Sequence, residues 1–217
     1  MVVNAKVFLE GPLKNYKMNK DLRDNNTLPL EHPYGNAPWN YEGNESASEL
    51  PNGIVDWLLV ELRTNISAST IVSKRALFLK DDGLIVDLDG ESLPEFNDIE
   101  DGDYYIVIRH RNHLSVMTAS PVYLSQDTPL YDFTDSDNKA YGSKGLKKSD
   151  KYYAMYSGDG NGSGSITIAD RNEIWSEENG YVGYKNGDFN LSGGVTISDL
   201  NQLWNKNNGT VTQVPEN

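Results

Sequence analysis

Between residues 54 and 126 apolar and polar positions alternate in short runs, and that alternation predicts strands. VDWLLVELR (55–63) sets Trp57, Leu59 and Glu61 on one side and Leu58, Val60 and Leu62 on the other. IVSKRALFLK (71–80) runs into Asp81-Asp82-Gly83, a hairpin signal, and then into LIVDLDG (84–90). DYYIVIRHRNHLSVMTAS (103–120) is rich in β-branched and aromatic residues and predicts one long strand or a bent pair. VYLSQ (122–126) and YDFTD (131–135) add edge strands, and AKVFLEG (5–11) reads as the first strand. Residues 12–53 are rich in Asn, Pro and Gly and hold no sustained period. So long a loop predicts a functional segment or a covering flap, with Met18, Leu28, Leu30, Tyr34, Trp39 and Tyr41 as anchors. Strands at this spacing predict an antiparallel β-sandwich, whose core the first 125 or so residues can bury.

The pattern changes after residue 157. GDGNGSGSITIADRNEIWSEENG (158–180) is followed by GDFNLSGGVTISDLNQLWNKNNG (187–209), a second copy offset by 29 residues. Oxygen-bearing side chains stand at loop positions one, three, five and twelve. They are Asp159, Asn161, Ser163 and Asp170 in the first copy, and Asp188, Asn190, Ser192 and Asp199 in the second. Position seven, Ser165 or Gly194, offers a backbone carbonyl, and position six is Gly164 or Gly193, where the chain must turn sharply. Calcium is a hard cation that takes six to eight oxygens, so this order predicts two calcium ions per chain. Zinc does not suit an all-oxygen set. Position eight is apolar in both copies, Ile166 and Val195, and a strand contact between the two is expected. After each loop the spacing of Ile168 and Trp175, and of Ile197, Leu200 and Trp204, predicts one face of an exit helix. Gly180 and Gly209 are its stop. No amphipathic helix precedes either loop. The fold class expected is therefore mainly β, a sandwich followed by a small helical part.

Residues 158–209 resemble the type I dockerin family: two calcium loops about this far apart, each with a following helix and an Asp at position twelve. The resemblance implies calcium binding and a protein partner. The chain departs from that pattern at position five, where the family usually has Asp and this sequence has Ser163 and Ser192. Each loop thus brings two carboxylates. It departs again at positions ten and eleven, where Ile168-Ala169 and Ile197-Ser198 stand in place of the small hydroxyl residues by which that family selects cohesins. The order of landmarks across nearly the whole chain, from AKVFLEGP through YYIVIRHRNHLSVM to the paired loops, also resembles a C-terminal module of large secreted or surface proteins of Bacteroidetes-type bacteria. That implies an extracellular setting, with further domains upstream.

The chain has 217 residues, 37% of them hydrophobic, and a net charge of −13. So acidic a protein is a poor partner for nucleic acid or anionic membrane surfaces. There is no cysteine and no apolar run of membrane-spanning length. The first residues lack the basic flank and long apolar core of a signal peptide. The domains expected are 1–150, the sandwich with its loop and a polar join, and 151–217, the calcium module, with Tyr152–Tyr156 as a strap between them. Chelation is expected to melt 158–209 and leave 5–125 folded.

Catalysis finds little support. Arg109-His110-Arg111-Asn112-His113 has no Ser or Cys nucleophile beside it, and on a straight strand His110 and His113 point to opposite faces. Asp87, Asp89 and Glu91 read as an exposed strand end rather than as paired glycosidase carboxylates. The leading expectation is a non-catalytic, calcium-binding accessory module for assembly, anchoring or adhesion. The alternative is a carbohydrate-binding module that stacks a glycan on Trp39 and Tyr41, and a glycoside hydrolase stands behind both.

Overall fold

A computed structural model describes residues 1–216 of the chain. The strands are β1 (Ala5–Lys6), β2 (Leu13–Lys14), β3 (Lys17–Met18), β4 (Ile54–Arg63), β5 (Ile71–Lys80) and β6 (Ile85–Val86). They continue with β7 (Gly102–His110), β8 (His113–Met117), β9 (Val122–Leu124), β10 (Tyr131–Asp132), β11 (Lys147–Ser149) and β12 (Tyr152–Ala154). A single helical turn, α1 (Asp21–Asp24), follows the β2–β3 hairpin, and two helices, α2 (170–178) and α3 (199–207), close the chain. The fold is mainly β, as expected: six antiparallel strands in the order β6-β5-β4-β7-β8, with β9 on the far end of β7, followed by two helices of 9 residues each.

The centre of the sheet is where the alternation was strongest. Every residue of β4 is buried, so both of its faces are covered. On one face Trp57 pairs across strands with Phe78, and Leu59 with Ala76. The segment 28–47 lies over that face. Trp57 donates from Nε1 to the Pro29 carbonyl at 2.9 Å, the Tyr34 hydroxyl donates to the Trp57 carbonyl at 2.8 Å, and Tyr41 donates to the Lys74 carbonyl at 3.1 Å. The irregular stretch 12–53 is thus a covering flap. Within it the Tyr41 amide donates to the Tyr34 carbonyl and the Ala47 amide to that of Leu30, and the Met18 amide reaches Asp81 beyond β5.

The outer strands are shorter than alternation suggested, because their partners are single bridges rather than ladders. The first strand is two residues long, yet its neighbours carry on the pairing. Lys6 bridges Leu84 next to β6, Leu9 bridges Met155, and His113 at the start of β8 bridges Ser157. The Val7 amide donates to Gly83, the Met155 amide to Phe8 and the Leu114 amide to Tyr156. Backbone pairing therefore runs from β8 through residues 155–157 and the N-terminal segment back to β6. Both long edges are covered in this way, which removes the exposed edge that invites association. The strap around Tyr152–Tyr156 is part of that closure.

Residues 103–120 form the bent pair. The chain turns at Arg111-Asn112 and His110 sits opposite His113, so the two imidazoles meet with ring centroids 4.8 Å apart instead of pointing to opposite faces. Alternation along one strand does not carry through a tight turn.

Candidate functional site

Each predicted loop gathers its oxygens, and the two do so in the same way. The Asp159 carboxylate accepts from the amides of Ser163 (3.0 Å) and Gly164 (2.9 Å), and that of Asp188 from Ser192 (2.9 Å) and Gly193 (2.8 Å). Asp170 accepts from Asn161 (3.2 Å) and Thr167 (2.7 Å), and Asp199 from Asn190 (3.0 Å) and Thr196 (2.8 Å). The Asn161 and Asn190 side-chain oxygens accept from the same amides of Ser163 and Ser192. The Ser163 hydroxyl lies 3.2 Å from the Ser165 carbonyl and that of Ser192 lies 3.3 Å from the Gly194 carbonyl. All ten residues expected as ligands thus converge in two fives, offset by 29. Gly164 and Gly193 have φ of +82° and +87°, a left-handed turn that a Cβ would strain.

The carboxylates sit low in these loops. Burial, and then the charge of Asp170, push the Asp159 carboxyl up to about 7. Burial raises Asp188 to about 6, with the Arg111 guanidinium opposing. Asp170 and Asp199 are raised by burial as well. A pair of carboxylates held together without a counter-charge favours protons, and a divalent cation would relieve the same repulsion. Among the described residues no three His, Cys, Asp or Glu side chains stand together as a metal set. Each loop completes its donor set with amide, hydroxyl and carbonyl oxygens, a chemistry that fits calcium.

The repeats interlock with a local two-fold relation. Trp175 Nε1 donates to the Thr196 carbonyl (2.9 Å) and Trp204 Nε1 to the Thr167 carbonyl (3.0 Å). Position eight does not pair with position eight. The Ile166 amide donates to Thr210 and its carbonyl accepts from Gly209, while Val195 exchanges the same two bonds with Tyr181 and Gly180. Each loop is therefore closed by the segment that leaves the other repeat's helix. Ile166, Val195, Phe189 and both tryptophans share one core with Leu114 of β8. The helices carry π-helical segments, Asp170–Trp175 and Asp199–Trp204, before a last α turn. That wider turn breaks the seven-residue register. Trp175 and Trp204 face the core, whereas Ile168 and Ile197 are 53% and 57% exposed rather than on the same buried face.

A buried polar cluster joins this region to the sheet, and sequence reasoning missed it. Asp56 accepts from Arg111 Nε (3.1 Å), from His110 Nε2 (3.2 Å) and from the Tyr184 hydroxyl (2.6 Å). Burial alone would raise the Asp56 carboxyl, but Arg111, His110 and Tyr184 outweigh it and hold it at about 2. His113 Nε2 accepts from the Gly11 amide, which leaves its Nδ1–H to face His110 Nδ1 and the Asn112 side-chain oxygen. Burial lowers both histidines, so both are neutral. Asp56, His110, Arg111 and His113 are at most 2% exposed, so no substrate reaches them. Their role is to lock a hairpin tip against the tail: Arg111 also donates to the Lys185 carbonyl, and Asn112 to those of Asn186 (3.0 Å) and Asp188 (2.9 Å). The signal available in the sequence was Asp56 within an apolar strand, which demands a buried cation.

The other candidates resolve as surface or packing groups. Asp87 makes a two-pronged ion pair with Arg75, and Asp89 caps the turn at Glu91-Ser92. Trp39 and Tyr41 are half-buried and packed on the main core, and each borders a different hollow.

No family model and no curated protein matches the chain. Among solved structures it is similar to chains from two interface variants, one N-terminal and one C-terminal, of a type II cohesin–X-dockerin complex from Acetivibrio cellulolyticus. Identities are 16% and 18%; each match covers 71% of this chain and 82% of the other, with a TM-score of 0.42. No helix among the described residues is long and apolar enough to cross a membrane.

Proposed function

We propose that this chain is a non-catalytic, calcium-binding accessory module of a secreted or cell-surface bacterial protein, whose paired loop–helix repeats serve assembly, anchoring or adhesion through a protein partner. The observation that carries the reading is the oxygen cluster met twice with one wiring. Asp159, Asn161, Ser163, the Ser165 carbonyl and Asp170 would hold one ion. Asp188, Asn190, Ser192, the Gly194 carbonyl and Asp199 would hold the second. Two carboxylates per loop match the charge of one calcium ion, and amides already point at them, so the loops close around the cation rather than around a water-filled gap.

The partner face follows from exposure. Ile168 and Ile197 stand at the same repeat position and point to solvent, and Val182 and Val211, also 29 apart, do the same. Apolar side chains repeated on a two-fold surface suit a protein partner better than a sugar or an ion. Calorimetric titration with calcium is expected to give two ions per chain, one of which Asp159→Asn removes. A pull-down from the native cell envelope is expected to retain a protein with calcium and to lose it with Ile168→Asp and Ile197→Asp together. One ion or none in the unmodified chain would overturn the metal reading. Retention that ignores both calcium and the isoleucines would overturn the docking reading.

A further inference from the structure

A hollow of about 340 Å³ lies between the sheet and the outer side of the first loop. It is lined by Arg109 and Lys74 around Glu61, and by Pro38 and Trp39 packed against Gly162 of the first loop. Glu61 is buried with 3% of its side chain exposed and is clamped by Arg109 Nε (2.7 Å), Arg63 (3.0 Å) and Lys74 (3.4 Å). Three cations on one carboxylate leave the floor positive in a chain whose net charge is −13. Glu61 takes the Nε (2.7 Å) and Nη2 (3.3 Å) edge of Arg109, and Nη2 also reaches the mouth of the hollow.

What meets that outer edge is informative. The Glu216 carboxylate, 48% exposed, takes both of its oxygens to Arg109 Nη2 at 3.0 Å. An exposed carboxylate in a surface ion pair is a weakly held, replaceable one. A fixed guanidinium nitrogen that takes both oxygens of one carboxylate can take those of another, whatever molecule carries it. Beside it stands the half-buried indole of Trp39. Gly162 makes room for that indole, since a Cβ there would stand 2.8 Å from Trp39 Cζ2 and from Pro38 Cγ. Ser115 lines the remainder. A ring with an apolar face, a rim of hydroxyls and one carboxylate at its edge matches all of these features together.

We propose that this hollow binds an acidic saccharide through a uronate residue, with the ring on Trp39 and the carboxylate on Arg109 in the place that Glu216 occupies. Glu216 is then a built-in competitor, and its departure raises the positive charge of the site.

The test is titration of the full chain, in calcium, with oligomers of galacturonate and of glucuronate, each beside its methyl ester, read by tryptophan fluorescence and calorimetry. The acids are expected to bind and the esters to bind about tenfold more weakly or not at all, the order of one lost charged contact. Trp39→Ala is expected to abolish binding. Glu216→Gln, which alters only an exposed contact, is expected to tighten it about fivefold, what one surface ion pair is worth. Equal binding of acid and ester, failure of every acid to bind, or no gain from Glu216→Gln overturns the proposal. So does an acidic peptide that binds where no uronate does, since it would make the hollow a peptide site.

Discussion

At the scale of single residues, the loops and the sheet respond to acid in opposite directions. Asp159 is raised to about 7 and Asp188 to about 6 in the metal-free fold, against about 4 for a free carboxyl. A carboxyl raised on folding adds stability fully only below its unfolded value and loses it as pH climbs through the folded one. Metal-free protein is therefore expected to lose stability between about pH 4 and pH 7 on account of these two groups. Asp56, lowered to about 2, works the other way: its contribution is present above about pH 4 and fades as pH falls toward 2. Calcium needs the ionised carboxylates, so proton and metal compete for one cluster. Calcium affinity is expected to fall as pH drops below 7, first at the Asp159 loop and about one unit later at the Asp188 loop, where Arg111 assists ionisation. Calorimetry at about pH 5.5, 6.5 and 7.5 checks the order. Affinity that stays flat across this range, or that fails first at the second loop, would refute the assignment of Asp159 as the more crowded carboxylate.

At the scale of elements, much of the fold could be read from the sequence where the pattern was local. β5 has the bounds that alternation suggested, and β4 begins one residue earlier. What escaped was set by partners far along the chain. The first strand shrank because its neighbours are single bridges, and Ile166 pairs with Thr210 rather than with Val195 because the repeats exchange their exit segments. The copies also differ at position four in a way that no repeat comparison explains. Gly162 has φ of +67° and makes room for Trp39, whereas its counterpart Leu191 takes φ of +56° despite its side chain. Leu191 is fully buried in the main core, and that burial offsets the left-handed backbone. The reciprocal indoles are the most testable part of the exchange. Trp204→Phe keeps the ring but leaves the Thr167 carbonyl without its donor. A loss of about 1–2 kcal/mol is expected, against about 3–5 for Trp204→Ala. Urea unfolding in calcium measures both. No loss with Trp204→Phe would mean that the bond contributes nothing beyond packing.

At the scale of the whole molecule, the question is whether the calcium region and the sheet fold separately. Length and the change of pattern at residue 158 suggest two units, with a tail that melts alone on chelation. The contacts argue for one. Tyr184 reaches Asp56 in the middle of the chain's buried polar cluster. Asn207 donates to Glu10 (2.6 Å) and to the Ser157 carbonyl (2.7 Å). Arg63 donates to the Pro215 carbonyl (2.7 Å), and Val214 packs with Val107 and Met117 of the sheet. If the tail melted, Asp56 would keep Arg111 and His110 but lose the Tyr184 hydroxyl, and Arg111 would lose the Lys185 carbonyl, and a hydrogen bond to a charged group is worth about 1.5–3 kcal/mol. Leu114, Phe8 and Leu9 would lose cover at the same moment, since residues 155–157 close the sheet on the N-terminal segment. Such coupling makes a partly unfolded intermediate unfavourable, so a single cooperative transition is expected in calcium and without it. Each ion at a hundredfold over its dissociation constant adds about 2.7 kcal/mol to the folded state. With two ions the midpoint of the whole transition is expected to rise by roughly 10–20 °C for a chain of this length. Hydrogen exchange would then show amides of β4 and of α3 gaining protection together when calcium is added. Two separated transitions, with the β4 amides indifferent to chelator, would show that the tail is an independent unit and that the Asp56 cluster does not join them.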